Sequence, residues 1–343
     1  MTEQHTSDGL SSSSPEELEE AIYEFIQVFS DAENEVSRMM VGMKDIIRGT
    51  LSAIFAGGHV LLEGVPGLGK TLLVKSVSTV LGLSFKRIQF TPDLMPSDVT
   101  GTQVLTEDES GRRSFTFKPG PLFANIVLAD EVNRTTPKTQ AALLEAMEEK
   151  QITVLDQTYT LPKPFFVLAT QNPIELEGTY PLPEAQLDRF LVKLLVSPPS
   201  SEDLKEILRR TTGVHIPEVR TLLPAEQMQE VISRMRLLVR EVVAPDPIRE
   251  VVVRIMMALT PGSDYATDKV NKYVRFGPGP RGAQSMVLCA KVAALLDSRI
   301  NLAFEDVKSA MASTLRHRLI LNFQAEADGV TADDIIEEVR SAK

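Results

Sequence analysis

The chain has 343 residues, 43% of them hydrophobic and 24% charged, which is enough for one large buried core and a second, smaller one. No apolar run approaches the roughly 18 residues needed to span a bilayer, and the polar N-terminus lacks the features of a secretory signal, so we expect a cytoplasmic protein. The formal net charge of −11 argues against nucleic acid as a partner, because phosphate contacts require clustered lysine and arginine.

The first residues are polar and rich in serine, so residues 1–14 are predicted to form a disordered tail. A helix should follow, with Ser14 as its N-cap, Pro15 at its first position and Glu17 completing a capping box. Apolar residues then recur at helical spacing over 22–29, which indicates one buried face.

Residues 15–198 are predicted to form one domain, in which short apolar runs alternate with helical patterns from about residue 34 onward. The runs at 59–63, 86–90, 126–129 and 165–170 predict buried strands, and the segments 70–81 and 137–149 predict helices between them. Strands that alternate with helices predict a parallel sheet that is covered on both faces. This fold class is α/β.

Two further segments predict β-hairpins inserted into this core. Strands at 101–105 and 114–118 flank a polar turn, and strands at 152–155 and 158–161 flank a two-residue turn at 156–157. Either the hairpins have a function of their own or they only decorate the sheet. After residue 198 only helical patterns remain, so residues 199–343 are predicted to form a separate all-α domain.

The strand at 59–63 leads into a match to the phosphate-binding loop G-x-x-x-x-G-K-[ST], and a helix follows it. Backbone N–H groups of such a loop bind phosphate oxygens, the lysine reaches the β- and γ-phosphates, and the threonine hydroxyl binds Mg²⁺. The matching residues are Gly64, Val65, Pro66, Gly67, Leu68, Gly69, Lys70 and Thr71. The loop therefore predicts ATP and Mg²⁺ as cofactors.

The strand at 126–129 ends in two carboxylates, Asp130 and Glu131. Together with the phosphate loop, they predict that Asp130 binds Mg²⁺, mostly through its water shell, and that Glu131 orients and polarises the attacking water. An ordinary solvated acidic loop is the alternative.

Three motifs together resemble the MoxR family of AAA+ ATPases. They are Asp-Glu-Val-Asn-Arg at 130–134, Ala-Thr-Gln-Asn-Pro at 169–173 and Glu-Gly-Thr-Tyr-Pro-Leu-Pro-Glu-Ala-Gln-Leu-Asp-Arg-Phe at 177–190. The resemblance covers residues 35–320 and implies an AAA+ P-loop core with a parallel sheet, two hairpin insertions and an all-α helical lid. ATP would bind in the groove between core and lid.

The resemblance also implies roles for single residues. Asn172 would be the sensor of the γ-phosphate, unless it only caps the turn before Pro173. Arg189 would be an arginine finger that reaches a neighbouring subunit's nucleotide, with a surface arginine paired to Asp188 as the alternative. Val41 and Gly42 match the stretch that packs against adenine.

Arg281 resembles the sensor-2 arginine of the lid, and its position gives a second argument. Pro280 begins a helix, and a cation at a helix N-terminus opposes the helix dipole at a cost of about 0.3–1 kcal/mol. A bound phosphate would compensate that cost.

By resemblance, the protein is a Mg·ATP-dependent ATP hydrolase that forms a homo-oligomeric ring, most simply a hexamer. It would remodel or mature a client protein, with metal-cofactor insertion as one such task, alongside partners that carry a von Willebrand factor A domain. A nucleic-acid-stimulated motor and a nucleotide-gated scaffold with little hydrolysis are the two alternatives.

Overall fold

The computed structural model describes residues 14–107, 111–173, 180–213 and 217–341. The helices are α1 Pro15–Met39, α2 Lys44–Ala56, α3 Lys70–Val80, α4 Pro96–Thr100, α5 Pro137–Glu149, α6 Glu184–Leu187, α7 Ser201–Thr211, α8 Ala225–Glu241, α9 Asp246–Ala258, α10 Asp268–Tyr273, α11 Pro280–Leu296, α12 Phe304–Leu315, α13 Phe323–Ala327 and α14 Ala332–Ser341. The strands are β1 His59–Glu63, β2 Phe85–Gln89, β3 Gly101–Glu107, β4 Arg113–Pro119, β5 Ile126–Asp130, β6 Gln151–Val154, β7 Gln157–Thr160, β8 Phe166–Gln171, β9 Phe190–Leu195, β10 Val274–Phe276 and β11 Ile320–Leu321.

The chain folds into two compact units. The sheet unit comprises Ala32–Thr50 and Gly58–Gln229, and the helical unit comprises Met1–Asp31, Leu51–Gly57 and Glu230–Lys343. Both units draw residues from each side of residue 198, and the predicted domain boundary there stays a prediction. Of the predicted tail 1–14, residues 1–13 lie outside the described residues.

The sheet unit is built on a parallel sheet, which confirms the predicted α/β class. In the described residues its five strands lie in the order β2-β5-β8-β1-β9. In the centre, Leu61 of β1 pairs with Ala169 of β8 on one side and with Lys193 of β9 on the other. All five residues of β5 are buried, because strands on both sides and side chains of α5 such as Leu143 cover it.

The prediction that residues 86–90 form a buried strand is wrong in one respect. A strand is present as β2, but it lies at the edge of the sheet, and Lys86, Arg87 and Gln89 are exposed. Only Ile88 of this strand enters the core. The polar residues of β2 are therefore available to the residues at the end of β5, with which β2 is paired.

Both predicted hairpins are present in the sheet unit. Strands β3 and β4 pair in antiparallel register, as do β6 and β7. The second turn is shifted by one residue from the prediction, because Leu155 and Asp156, with φ of 45° and 64°, make the reversal. The ring of Phe117 stacks on that of Tyr159 with their centroids 3.9 Å apart, so the two hairpins are packed together.

In the helical unit, the predicted N-terminal cap of α1 is confirmed. The Glu17 N–H donates to Ser14 Oγ at 3.3 Å, and the Ser14 N–H donates to Glu17 Oε2 at 2.8 Å. The buried rings of Phe25, Phe29 and Phe55 form a cluster with centroids 5.6 to 6.2 Å apart. Across the part of the chain that the structure describes, no helix is both long and apolar enough to cross a membrane.

Candidate functional site

Three neighbouring strands of the sheet unit end at the same edge of the sheet. The loop 64–69 follows β1, Asp130 is the last residue of β5, and Asn172 comes directly after β8. Because β5, β8 and β1 are adjacent and parallel, their carboxyl ends bring these three segments together. This edge is also a topological switch point, where open α/β sheets commonly bind ligands: the chain leaves β1 for the far edge and returns to β9 on the other side of it.

The loop has the backbone geometry of a phosphate cradle. Gly67 and Gly69 have φ of 83° and 79°, in the left-handed region that residues with a side chain rarely adopt. A Cβ on Gly67 would meet nothing within 4 Å, so the loop faces open space there. Gly69 directly precedes α3, and the first N–H groups of a helix lack intrahelical acceptors and carry partial positive charge. The loop can therefore bind an anion through its backbone.

Lys70 places its ammonium group against the backbone of this loop. Its side chain is 9% exposed, and its Nζ donates a hydrogen bond of 2.5 Å to the carbonyl oxygen of Gly64. Burial lowers the pKa of Lys70, while the nearby carboxylates of Asp130, Glu131 and Glu63 oppose this by raising it. The ammonium thus lies within electrostatic reach of the carboxylate pair at the end of β5.

Asp130 is held in place by residues of the two strands next to β5. Thr170 of β8 donates its hydroxyl to Asp130 Oδ1 at 2.6 Å. Arg87 of β2 donates to Asp130 Oδ2 from Nε at 3.0 Å and from Nη2 at 2.6 Å. The carboxylate is buried, with each oxygen bonded, so its orientation is fixed before any ligand binds.

Glu131 adopts a strained backbone conformation. Its φ of 57° and ψ of 50° are left-handed, which for a non-glycine residue costs about 1–3 kcal/mol and is common at functional sites. Its N–H donates to the hydroxyl of Thr170 at 2.8 Å. Its Oε2 accepts hydrogen bonds from Gln89 at 2.7 Å and from Arg134 at 2.9 Å. The side chain is therefore oriented by Gln89 and Arg134, while Thr170 holds the backbone.

A cleft of about 250 Å³ in the sheet unit lies beside the phosphate loop. Val41 and Gly42, which were predicted to contact adenine, line it together with Gly67 and Gly69 of the loop. The rest of the wall is mostly apolar and comes from the end of α1, from α3 and from α7; it includes Met39, Met40, Leu72, Leu204, Ile207 and Thr211. The predicted adenine segment and the predicted phosphate loop thus border one cavity, as a nucleoside phosphate requires.

The residues present fit a nucleotide with Mg²⁺. The loop offers backbone donors, a buried cation and an adjoining apolar cleft. In the described ranges, no group of three or more histidine, cysteine, aspartate or glutamate residues could hold a metal ion alone. Mg²⁺ does not require such a cage, because it commonly keeps several waters and binds one or two carboxylates plus substrate phosphates. Asp130 and Thr71 are suited to that kind of site.

Comparisons with known proteins agree with this geometry. Residues 59–192 match the model of the ATPase family associated with various cellular activities (AAA), and residues 267–339 match that of the AAA lid domain. The chain is 44% identical to the uncharacterized protein YeaC of Bacillus subtilis over 91% of this chain and 92% of that protein. It is 40% identical to Chaperone MoxR1 of Mycobacterium tuberculosis over 89% of this chain and 79% of that one.

The chain belongs to the MoxR family of AAA+ ATPases. A solved structure from Cytophaga hutchinsonii, described as a candidate ATPase, superposes with a TM-score of 0.86 at 38% identity and covers 98% of this chain and 99% of that one. The resemblance predicted from the motifs is confirmed, and so is the fold with its helical lid domain, to which β10 and β11 add a short two-stranded sheet.

The other predicted residues of this MoxR protein lie as follows. Asn172 is buried, and its carbonyl oxygen accepts a hydrogen bond of 3.5 Å from Asn133 Nδ2. Arg189, between α6 and β9, forms an ion pair of 2.7 Å with Glu148 of α5. Arg281 is the second residue of α11 in the helical unit, directly after Pro280, as predicted. Of the long motif at 177–190, residues 177–179 lie outside the described residues.

Sequence reasoning missed several residues of this MoxR site. Thr170 holds both carboxylate residues, and Arg87 and Gln89 bind them from β2. A signal existed for Thr170, which is the polar residue in the apolar run 166–170, two positions before Asn172. The α7 residues of the cleft gave no signal, because their apolar pattern is that of any amphipathic helix.

Proposed function

We propose that this protein binds and hydrolyses Mg·ATP and couples hydrolysis to the remodelling of a partner protein. The observation that carries the proposal is the arrangement at one sheet edge: a phosphate loop with buried Lys70 lies within electrostatic reach of the ordered carboxylates of Asp130 and Glu131. Membership in a family of ATPases and the name of Chaperone MoxR1 support it.

Binding uses the loop and the cleft. The N–H groups of residues 64–70 donate to phosphate oxygens, and Lys70 exchanges its bond with the Gly64 carbonyl for one with the β- and γ-phosphates. Val41 and Gly42 contact the base. Thr71 and Asp130 hold Mg²⁺, which when bound neutralises the charge that develops on the transferring phosphoryl group.

Hydrolysis requires a water in line with the γ-phosphate. Glu131 orients this water and accepts its proton, and Asn172 hydrogen-bonds the γ-phosphate from the end of β8. Arg189 of a neighbouring subunit stabilises the transition state, a contribution of about 10³- to 10⁵-fold in rate for such fingers. Arg281 responds to the nucleotide from the lid. These roles require a homo-oligomer, for which we propose a hexameric ring.

The client is another protein, matured or remodelled by a chaperone-like action. Insertion of a metal cofactor and cooperation with von Willebrand factor A domain proteins remain part of this proposal, resting on family resemblance. The alternative of a nucleic-acid-stimulated motor has no observation in its favour, since the chain has a net charge of −11.

The test is Glu131→Gln, which keeps the shape and the hydrogen bond from Gln89 but cannot accept the proton. We expect Mg²⁺-dependent binding of ADP close to wild type by calorimetry, and a loss of turnover of about 100-fold or more in a phosphate-release assay. Glu145→Gln, an exposed change on α5, is the control and should hydrolyse normally.

Equal turnover in wild type and Glu131→Gln would refute the assignment of the base. Absence of nucleotide binding by wild type would refute the proposed function as a whole. Strong stimulation of turnover by added DNA or RNA would favour the motor over the chaperone.

A further inference from the structure

One hydroxyl group connects the two carboxylate residues of the site. Thr170 Oγ1 donates its proton to Asp130 Oδ1 at 2.6 Å and accepts a hydrogen bond from the Glu131 N–H at 2.8 Å. A threonine hydroxyl has one donor and can accept on its lone pairs, so both contacts use one group without competition. Thr170 is fully buried, which means that water cannot replace either contact.

The position of Thr170 also relates it to the predicted γ-phosphate sensor. Thr170 belongs to β8, and Asn172 follows two residues later on the same strand path. Strand β8 pairs in parallel with β5 up to Ala129 and Ala169, so Asp130 and Thr170 are the next residues on the two strands. The hydroxyl therefore connects the strand that ends at the sensor with the strand that ends at the carboxylates.

The hydrogen bond from the Glu131 N–H to Thr170 stabilises a strained backbone conformation. A left-handed glutamate persists only where its surroundings hold it, and its N–H has Thr170 as its partner. Gln89 and Arg134 hold the far end of the side chain, whereas Thr170 holds the backbone. The direction in which the Glu131 side chain leaves the strand thus depends on this hydroxyl.

We propose that Thr170 is a positioning residue that sets both the carboxylate of Asp130 and the backbone of Glu131 for hydrolysis. The inference rests on the proposed function, but it concerns a residue of the motif at 169–173 to which the family resemblance assigned no role. It acts through hydrogen bonds to the two carboxylate residues and not by contact with the nucleotide.

The decisive pair is Thr170→Ser and Thr170→Ala, which both lose the methyl group and differ only in the hydroxyl. We expect the serine variant to remain near wild type. The alanine variant should lose about 10- to 100-fold in kcat with little change in KM for ATP, because small misplacements of catalytic groups cost rates of this order. A merely structural threonine would lower the amount of folded protein and leave kcat per folded molecule unchanged.

Two readouts do not depend on turnover. Loss of a hydrogen bond to a metal-binding carboxylate commonly weakens metal affinity by about 10- to 100-fold, so Thr170→Ala should raise the half-saturating Mg²⁺ concentration for ADP binding in calorimetry. In the nucleotide-free protein, hydrogen exchange at residues 130–132 should be faster in the alanine than in the serine variant, since the Glu131 N–H loses its partner.

The outcomes separate the two proposals. If wild type binds Mg·ADP but does not hydrolyse ATP, the proposed function fails, while the Mg²⁺ dependence and the exchange data still decide the role of Thr170. If serine and alanine variants agree in kcat, in Mg²⁺ dependence and in exchange, the inference is wrong. Thr314→Val is a matched control, because it removes a buried hydroxyl that bonds only to carbonyl groups of its own helix, and it should leave kcat unchanged.

Discussion

Replacement of Lys70 by methionine tests the electrostatic basis of the site. The two side chains have similar length, so the loop keeps its packing while the charge and the bond to the Gly64 carbonyl are removed. A hydrogen bond to a charged group is worth about 1.5–3 kcal/mol net. Since about 1.4 kcal/mol corresponds to a factor of ten, Lys70→Met should weaken binding of Mg·ADP by about 10- to 150-fold in calorimetry.

The same change should not destabilise the nucleotide-free protein. Lys70 is buried, and burial holds its pKa below the ordinary value of 10.5, so folding disfavours its charged form. Burial of this ammonium costs more than the attraction of the neighbouring carboxylates returns, so an apolar side chain of similar length removes a net penalty. We therefore expect the midpoint of thermal unfolding without nucleotide to stay equal or to rise.

The effect of Lys70→Met on stability should depend on pH, because burial lowers the pKa of Lys70 in the folded protein. The destabilising contribution of Lys70 is complete below its folded-state pKa and disappears as the pH rises from there to 10.5, where the unfolded chain also loses the proton. Any stability gained by Lys70→Met should therefore shrink over that alkaline interval. Lys75→Met, an exposed change on the same helix, should alter neither affinity nor stability. Nucleotide affinity of Lys70→Met within the error of wild type would refute the reasoning.

Two further predictions concern the loop and the assembly. Gly69→Ala places a side chain at φ 79°, 3.3 Å from the methyl of Met40. We expect it to lower the free energy of unfolding by about 1–2 kcal/mol in denaturant titrations. An unchanged midpoint would show that the loop relaxes without cost. Subunits with Lys70→Ala mixed with subunits carrying Arg189→Ala should recover part of the ATPase activity, because each intact site then obtains its finger from a neighbour; no recovery at any ratio would refute an arginine finger acting between subunits.

The sequence predicted the elements whose pattern is local. Glycine spacing and Lys70-Thr71 defined the phosphate loop, and the helix 137–149 is observed at the predicted bounds as Pro137–Glu149. Strand β9 was missed, although its apolar run 190–192 begins at the last residue of the motif 177–190. The short elements α10, α13 and β11 were also missed, because segments of six residues or fewer carry little periodicity.

The errors have a common cause in pairing between distant segments. Residues 86–90 were expected to be buried, but β2 is an edge strand of the sheet. The order of strands in a sheet cannot be deduced from the local pattern of apolar residues. The contacts of Thr170 and Arg87 with Asp130 join residues 40 and 43 positions apart. Thr136 directly precedes α5 and is of a residue type that often caps helices, yet its side chain makes no capping hydrogen bond to the backbone. Such contacts depend on the assembled sheet.

The stacked rings of Phe117 and Tyr159 have a mechanical consequence. The β6–β7 hairpin leaves the sheet after α5 and returns directly to β8, the strand that leads to Asn172. The β3–β4 hairpin leads into β5 and not into β8, and the aromatic stack is a direct contact between the two insertions. A displacement of Phe117 would therefore press on Tyr159, and through it on the segment that returns to β8 beside the phosphate loop.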